Sequence, residues 1–244
     1  MTREDFSNSF DTQLNSFAHT AQFGSDVSAR DLRLDEYEKS IFLTKAQEEV
    51  ALSLYTGRNS SGNGFEETEE LRRYLSNLIC ETELDPITTT DGKPLGMESN
   101  SKFFTLPNDP PVWFITYESV VISDGKCENT TSMEVVPVRQ DEYHKLKKNP
   151  FRGANDRRSL RLDLGDDNIE IISKYTVTKY YLRYLRKLKP IILIDLPDGL
   201  KIEDEDKAQD CELHESLHQR ILDRAVLMAL QSKGYNSNNN TENR

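Results

Sequence analysis

Cysteine is scarce in this sequence, with only three cysteines among 244 residues. Cys80, Cys127 and Cys211 lie far apart and form no Cys-x-x-Cys pair. The odd number and the wide spacing argue against a disulfide framework and against a zinc ribbon. They are typical of a protein that is made in a reducing cytosol.

Long hydrophobic runs are absent as well. No segment approaches the roughly 18 apolar residues that a membrane span needs. Residues 1–16 contain no apolar segment, so we expect neither a secretory signal nor a membrane anchor. The mean hydropathy of −0.69 is low for a compact globule. We therefore expect long polar segments, or surface that a partner covers.

Most enzyme motifs are missing: there is no glycine-rich phosphate loop, no Gly-x-Ser-x-Gly and no paired aspartate metal motif. One motif is present, the His-Glu-x-x-His of residues 214–218. On a helix, two such histidines can share a zinc ion, with the glutamate as general base. A catalytic zinc also needs a third protein ligand. Residues 219–224 contain no histidine, and Glu242 is the only acid after Gly234. We therefore predict no catalytic residue, no metal and no cofactor, and a zinc hydrolase is kept as an alternative.

Charge is distributed unevenly along the chain. The net charge is −11, yet residues 139–189 hold 14 Lys and Arg against 7 Asp and Glu, a local balance of +7. The rest of the chain then carries −18, and an acidic chain is a poor general binder of nucleic acid. The asymmetry indicates a charged partner surface, although solvated loops and sheet faces are the alternative. The basic residues predicted to face an acidic neighbour are Lys147, Lys148, Arg152, Arg157, Arg158 and Arg161.

The N-terminal segment has a helical period. Its four large apolar residues recur at spacings of four, four and three, and they are Phe6, Phe10, Leu14 and Phe17. Such a stripe on one helix face must be covered. It either completes the chain's own core or docks apolar-face-down on a neighbouring subunit, and we list its four residues as candidate interface residues. Residues 19–30 lack a period and are predicted to be a linker.

Further helices are predicted on both sides of a central sheet. The capping-box pattern from Thr44 to Gln47 predicts a helix start, and Gly57 predicts its end. A second stripe extends this into a helical hairpin over residues 34–80. Residues 211–233 carry an apolar stripe that predicts a C-terminal helix. Residues 235–244 are polar throughout, and we predict a disordered tail.

The middle of the chain changes to strand character. Residues 112–122 are dense in aromatic and β-branched side chains, as strands prefer, and Leu164–Ile169 is typical of a hairpin turn. The run Ile191–Ile194 continues the sheet region, which spans residues 102–196. The predicted fold is α+β, with N-terminal helices, a central mostly antiparallel sheet and a C-terminal helix. The predicted domains are an arm and linker over 1–30, a body over 31–234 and a tail over 235–244.

Several segments of this sequence resemble virion proteins of crAss-like phages of gut Bacteroidetes. They cover most of the chain, at residues 34–57, 65–75, 141–164, 181–196 and 211–229. The resemblance implies a neck ring, or head–tail connector, subunit that assembles into a twelve-fold ring below the portal, around the channel through which DNA leaves. The implied partners are further copies, the portal protein and other neck or tail rings. The implied location is the virion, after synthesis in the host cytoplasm.

The acidic balance agrees with such a conduit, because negative walls avoid the phosphate binding that a basic channel would invite. DNA would pass without specific binding. Two other functions stay open at this stage, the zinc hydrolase and a monomeric acidic interaction protein.

Overall fold

The computed structural model describes residues 1–20, 33–58, 62, 64–65, 67–87, 98, 101–123, 131–197 and 199–233. The chain forms two compact units, one of residues 1–77 and 188–244 and one of residues 78–187. Most helices belong to the first unit and the strands to the second, so the α+β prediction is confirmed. The predicted tail and most of the predicted linker lie outside the described residues, and the predicted division into arm, body and tail stays a prediction.

The longest helix among the described residues of the first unit is α2, Glu36–Thr56. Its N-cap is Asp35, whose side chain accepts a hydrogen bond from the backbone nitrogen of Glu38, and the Glu38 side chain accepts one from the backbone nitrogen of Asp35. Its C-cap is Gly57, which has the left-handed conformation (φ 75°). The predicted end is confirmed, but the predicted start at Thr44 is wrong. Thr44 lies inside the helix because the capping box is formed by Asp35 and Glu38 instead, and the Thr44 hydroxyl bonds to the backbone of Ile191.

Within its described residues, the first unit holds three further α-helices. They are α1, Arg3–Thr20; α3, Glu69–Tyr74; and α5, His218–Ser232. The C-terminal helix α5 was predicted to start at residue 211, but it is preceded by a single 3₁₀ turn, Glu215–Leu217. Its apolar stripe is buried as the period predicts, with Ile221, Leu222, Ala225, Val226 and Ala229 inaccessible to solvent.

The second helix of the predicted hairpin is shorter than its stripe suggested. Helix α3 is capped by Thr68, whose side chain accepts from the backbone nitrogen of Leu71 at 3.2 Å. It ends before residue 76, and the chain then enters strand β1, Ile79–Leu84. The predicted helix is cut short because all six residues of β1 pair with strand β7, Thr176–Arg186.

The described residues of the second unit form a seven-stranded, mostly antiparallel sheet, as predicted, in the order β1-β7-β3-β4-β5-β6-β2. Of these strands only β4 and β5 run parallel, and helix α4, Gln140–Lys147, connects them. The predicted hairpin joins β5 to β6 through Asp166 and Asp167, both with positive φ, as tight hairpin turns require. The remaining strands are β2, Lys102–Thr105; β3, Val112–Ser123; β4, Thr131–Pro137; β5, Arg158–Gly165; and β6, Asn168–Ile172.

The apolar run Ile191–Ile194 does not form the strand that its composition suggested. Only Ile192 makes a bridge, to Gln209. Side chains of α2 satisfy the neighbouring backbone instead: Ile191 donates to the Thr44 hydroxyl at 3.1 Å, and Leu193 donates to the Ser40 hydroxyl at 3.1 Å. Ile191 and Ile192 are fully buried in the first unit. None of the helices in the described ranges is both long enough and apolar enough to cross a membrane.

Candidate subunit-interface surfaces

The N-terminal stripe lies largely inside the first unit. Phe6, Phe10 and Leu14 expose 1%, 0% and 3% of their surface, whereas Phe17 at the end of the stripe exposes 44%. The ring of Phe6 lies 5.3 Å from that of His218 on α5. The first three residues thus complete the chain's own core, one of the two arrangements that the sequence left open. Docking of α1 on a neighbour would require these side chains to leave that core.

A buried lysine fixes α1 against α2. The ammonium group of Lys39 donates to Asp11 at 2.7 Å, to Glu36 at 2.9 Å and to the hydroxyl of Ser7 at 3.1 Å. Burial alone would lower the pKa of Lys39, but the two carboxylates outweigh it, and the pKa is raised. All three donors of the ammonium group therefore have partners, and two of these partners belong to α1.

The basic segment of the second unit begins on α4. Lys147 at the end of this helix forms an ion pair with Glu98, and Tyr143 donates to the same carboxylate at 2.7 Å. These contacts lower the pKa of Glu98, with Lys147 the larger cause. Lys147 is thus neutralised in part within its own unit, although its side chain is about half exposed.

The loop after α4 carries the uncompensated positive charge. Lys148, Arg152 and Arg157 are exposed, and within the described residues their side chains have no ion-pair partner. Arg158 is half-buried and donates to the carbonyl of Phe151 at 3.4 Å. Four of the six predicted basic residues therefore lie on or beside one loop, and their role in docking stays a prediction.

Arg161 lies elsewhere, inside the second unit. Its guanidinium donates to the buried Glu118 carboxylate at 2.8 Å, and Tyr180 donates to the same carboxylate at 2.8 Å. Burial raises the pKa of Glu118, and Arg161 opposes this shift. Because β5 directs this side chain inward, Arg161 serves the fold, and the structure does not place it on the predicted basic surface.

Sequence reasoning missed Phe151, which projects from this basic loop. It exposes 86% of its surface, more than any other large apolar side chain among the described residues. The sequence feature that could have identified it is an aromatic residue between Pro150 and Arg152, in a segment with neither a helical nor a strand period. Such a residue has no core face to occupy, and aromatic side chains are enriched where proteins meet their partners, so Phe151 is a candidate contact residue.

An acidic segment in the first unit was also missed. Residues 195–212 contain eight Asp or Glu and two Lys, a net charge of −6. The segment folds back at Glu203 and Asp204, which have positive φ, and Ile202 pairs with Glu205 across this turn. The net charge of −18 outside residues 139–189 indicated an acidic surface but did not show which residues form it.

The two histidines of the His-Glu-x-x-His motif lie in different environments. His214 is exposed at the 3₁₀ turn, where its Nδ1 accepts from the backbone of Ser216 and its ring lies 5.7 Å from that of Tyr74. His218 is buried, with Nε2 3.0 Å from the carbonyl oxygen of Leu213 and Nδ1 2.8 Å from the nitrogen of Met1.

The α-helix therefore starts only at the last residue of the motif, so the two histidines do not both belong to it. Burial lowers the pKa of His218. Across the described residues, no group of three or more His, Cys, Asp or Glu side chains is placed to hold a metal ion.

Comparison with known proteins gives one consistent result. The family model described as phage tail ring protein 3/4 matches residues 1–241. The chain is 47% identical over 236 residues to Ring protein 3 of Bacteroides phage crAss001, a match that covers 96% of each chain. It is 28% identical over 238 residues to Ring protein 4/5 of the same phage, covering 94% of this chain and 92% of the relative.

Proposed function

Because this chain belongs to the phage tail ring protein 3/4 family, we propose that it is a structural subunit of a ring in the neck of a phage particle. The observation that carries the proposal is the 47% identity to Ring protein 3 over 96% of both chains. Because this sequence identity spans both units, the simplest interpretation is that the two proteins have the same role in assembly. The ring would contain identical copies, twelve by the family resemblance, and would connect the portal to the tail.

Charge supports the part of the proposal that concerns DNA. The chain carries −11 overall, and its acidic residues outnumber its basic ones by 42 to 31. A passage lined by acidic side chains releases DNA without the counterion-driven binding that lysine and arginine clusters cause. The ring would accordingly guide DNA transiently, with no sequence-specific or tight contact.

The basic loop supports the part that concerns partners. Lys148, Arg152 and Arg157 stay exposed among the described residues and would face an acidic surface of an adjacent copy or of another neck or portal protein. Contacts between opposite charges set orientation and encounter rate more than affinity. We infer the same role for the exposed end of the N-terminal stripe at Phe17.

We further propose that the subunit has no enzymatic activity. The His-Glu-x-x-His sequence is explained by its structural contacts, since the His218 ring contacts Leu213, Met1 and Phe6 while His214 caps a turn. Purified protein should contain well under one zinc per chain by elemental mass spectrometry. About one zinc per chain, lost in the His214→Ala variant, would favour the hydrolase instead.

Labelling of phage particles tests the location. A gold-labelled antibody against this chain should bind at the junction of capsid and tail in electron micrographs, after synthesis of the protein in the host cytoplasm. Label on the capsid or tail fibres, or absence of the protein from purified particles, would contradict the proposed place in the neck.

Charge reversal tests the basic loop. Arg157→Glu with Arg158→Glu should slow incorporation into particles, most strongly at low salt where screening is weakest. Arg72→Glu with Arg73→Glu is the matched control, because it reverses two neighbouring arginines on exposed helix α3 of the other unit. Equal incorporation of both variants at low salt would remove the loop from the assembly surface.

A further inference from the structure

The loop that carries Phe151 is held in shape by hydrogen bonds to Asn149. The side-chain oxygen of Asn149 accepts from the nitrogen of Phe151 at 2.9 Å and from that of Arg152 at 3.3 Å. The carbonyl of Asn149 accepts from the nitrogen of Gly153 at 2.8 Å. The chain therefore turns tightly around Asn149, and Phe151 lies at the outside of the turn.

Gly153 is the residue that allows this turn. A Cβ atom at this position would lie 2.9 Å from the carbonyl oxygen of Asn149 and 3.0 Å from that of Leu146. Both distances are to backbone atoms, which no side-chain rotation can move away. The sequence thus specifies a tight loop that holds Phe151 outside its own unit, as preorganisation for a contact requires.

The surroundings of Phe151 define the chemistry of its partner. Residues 147–158 hold five Lys or Arg and one Asp, a net charge of +4. An exposed aromatic ring within a cationic rim fits an apolar groove with an acidic rim.

The first unit has such a groove. Its exposed apolar residue is Ile194, which shows 50% of its surface, and Leu193 and Ala208 line it as well. Asp195, Asp210 and Glu4 add three carboxylates to the lining, which also contains Arg3, and Arg3 pairs with Asp210 at 3.1 Å. The groove has a volume of about 720 Å³ and opens within the segment of residues 195–212, which carries −6.

We propose that Phe151 of one copy inserts into the Ile194 groove of the adjacent copy. This inference rests on the proposed function, in which identical copies form a ring. Two different surfaces meet in this contact, so each copy can give its loop to one neighbour and its groove to the other. Such head-to-tail contacts generate closed rings when the rotation closes, whereas contacts of one surface with itself stop at a dimer.

A photo-cross-linker at position 151 tests the contact directly. Benzoylphenylalanine replaces Phe151 in the full-length chain, and ¹⁵N-labelled and unlabelled copies are mixed before irradiation. Peptide mass spectrometry should show mixed-isotope links from residue 151 to residues 193–195 or 208–210. The matched control carries the cross-linker at Tyr117, an exposed aromatic residue of the same unit, and should not reach these residues.

Links from residue 151 to another part of the second copy, or only within one copy, would overturn the inference. A wild-type chain that stays monomeric at every concentration would overturn it too. The proposed function is judged separately by the antibody label on particles, so a labelled neck combined with misplaced cross-links would refute the groove and keep the ring.

A substitution series gives an independent measure. Phe151→Ala should weaken self-association about thirtyfold, as central aromatic anchors do. It should leave the unfolding transition unchanged because the side chain is exposed. Arg152→Glu with Arg157→Glu should also weaken association, and Glu4→Lys with Asp210→Lys, which replace two carboxylates of the groove, should restore it when present in the other copy. Unchanged association of Phe151→Ala would refute the anchor.

Discussion

Replacing Phe10 by alanine measures whether α1 belongs to the subunit's own core in solution. The side chain is fully buried and lies between Phe6 and Leu14 on the same buried stripe. Truncation of such a phenylalanine removes its transfer free energy and leaves a cavity, which together cost about 3–5 kcal/mol. At ~2–4 °C per kcal/mol for a chain of this size, the midpoint of thermal unfolding should fall by roughly 6–20 °C.

The two units offer separate probes for this experiment. Circular dichroism at the helical band reports chiefly on the first unit, which contains α1, α2, α3 and α5. The single tryptophan, Trp113, lies on β3 and reports on the second unit through its fluorescence. Phe10→Ala should lower the helical transition, and a simultaneous shift of the fluorescence transition would show that the units unfold together.

Phe17→Ala is the matched control on the same helix. Because Phe17 exposes 44% of its surface, its truncation should cost less than about 1 kcal/mol. A Phe10→Ala variant as stable as the control would refute the reasoning, since it would show that α1 does not pack on its own core in solution. The helix would then be free to dock on a neighbouring copy.

Three further outcomes follow from the packing and the buried charges. Ile221→Ala on α5 should cost about 2–5 kcal/mol in denaturant unfolding, since this side chain is fully buried, and a cost under about 1 kcal/mol would place it at the surface. Arg161→Met should cost about 3–5 kcal/mol by Trp113 fluorescence, because it leaves Glu118 buried without its cation, and a neutral effect would mean that water reaches the pair. The pKa of His218 is lowered in the fold, so the unfolded chain takes up its proton first as the pH falls. The free energy of unfolding contributed by the neutral ring should be lost as the pH falls below about 6.5. The His218→Gln variant should therefore lose less free energy of unfolding than wild type between pH 7 and 5. Parallel curves of unfolding free energy against pH would contradict this.

Local patterns predicted the elements whose partners lie nearby in sequence. The β5–β6 hairpin formed where Asp166 and Asp167 supply a tight turn, and the stripe of α5 was buried as its period required. The elements that were predicted wrongly depend on hydrogen-bond partners that are far away in sequence. Thr44 appeared as a cap, but its hydroxyl is used by Ile191, and the apolar run at Ile191–Ile194 packs as irregular chain because α2 satisfies its backbone.

The candidate surface was predictable in composition but not in geometry. Counting charges located the basic segment, and four of its six chosen residues lie on or beside the Phe151 loop. Counting could not separate Arg161 from the others, because its burial on β5 depends on Glu118, a partner that lies 43 residues earlier in the chain. Nor could periodicity identify Phe151, since an aromatic residue in a turn gives no periodic signal.

The native mass of the purified chain, measured together with negative-stain images, tests the central claim most directly. A subunit of 28.1 kDa that forms the twelve-fold ring should appear as a closed ring of about 337 kDa, twelve times the mass of one chain. A single species of 28.1 kDa at every concentration and salt, with no ring in any image, would contradict the account.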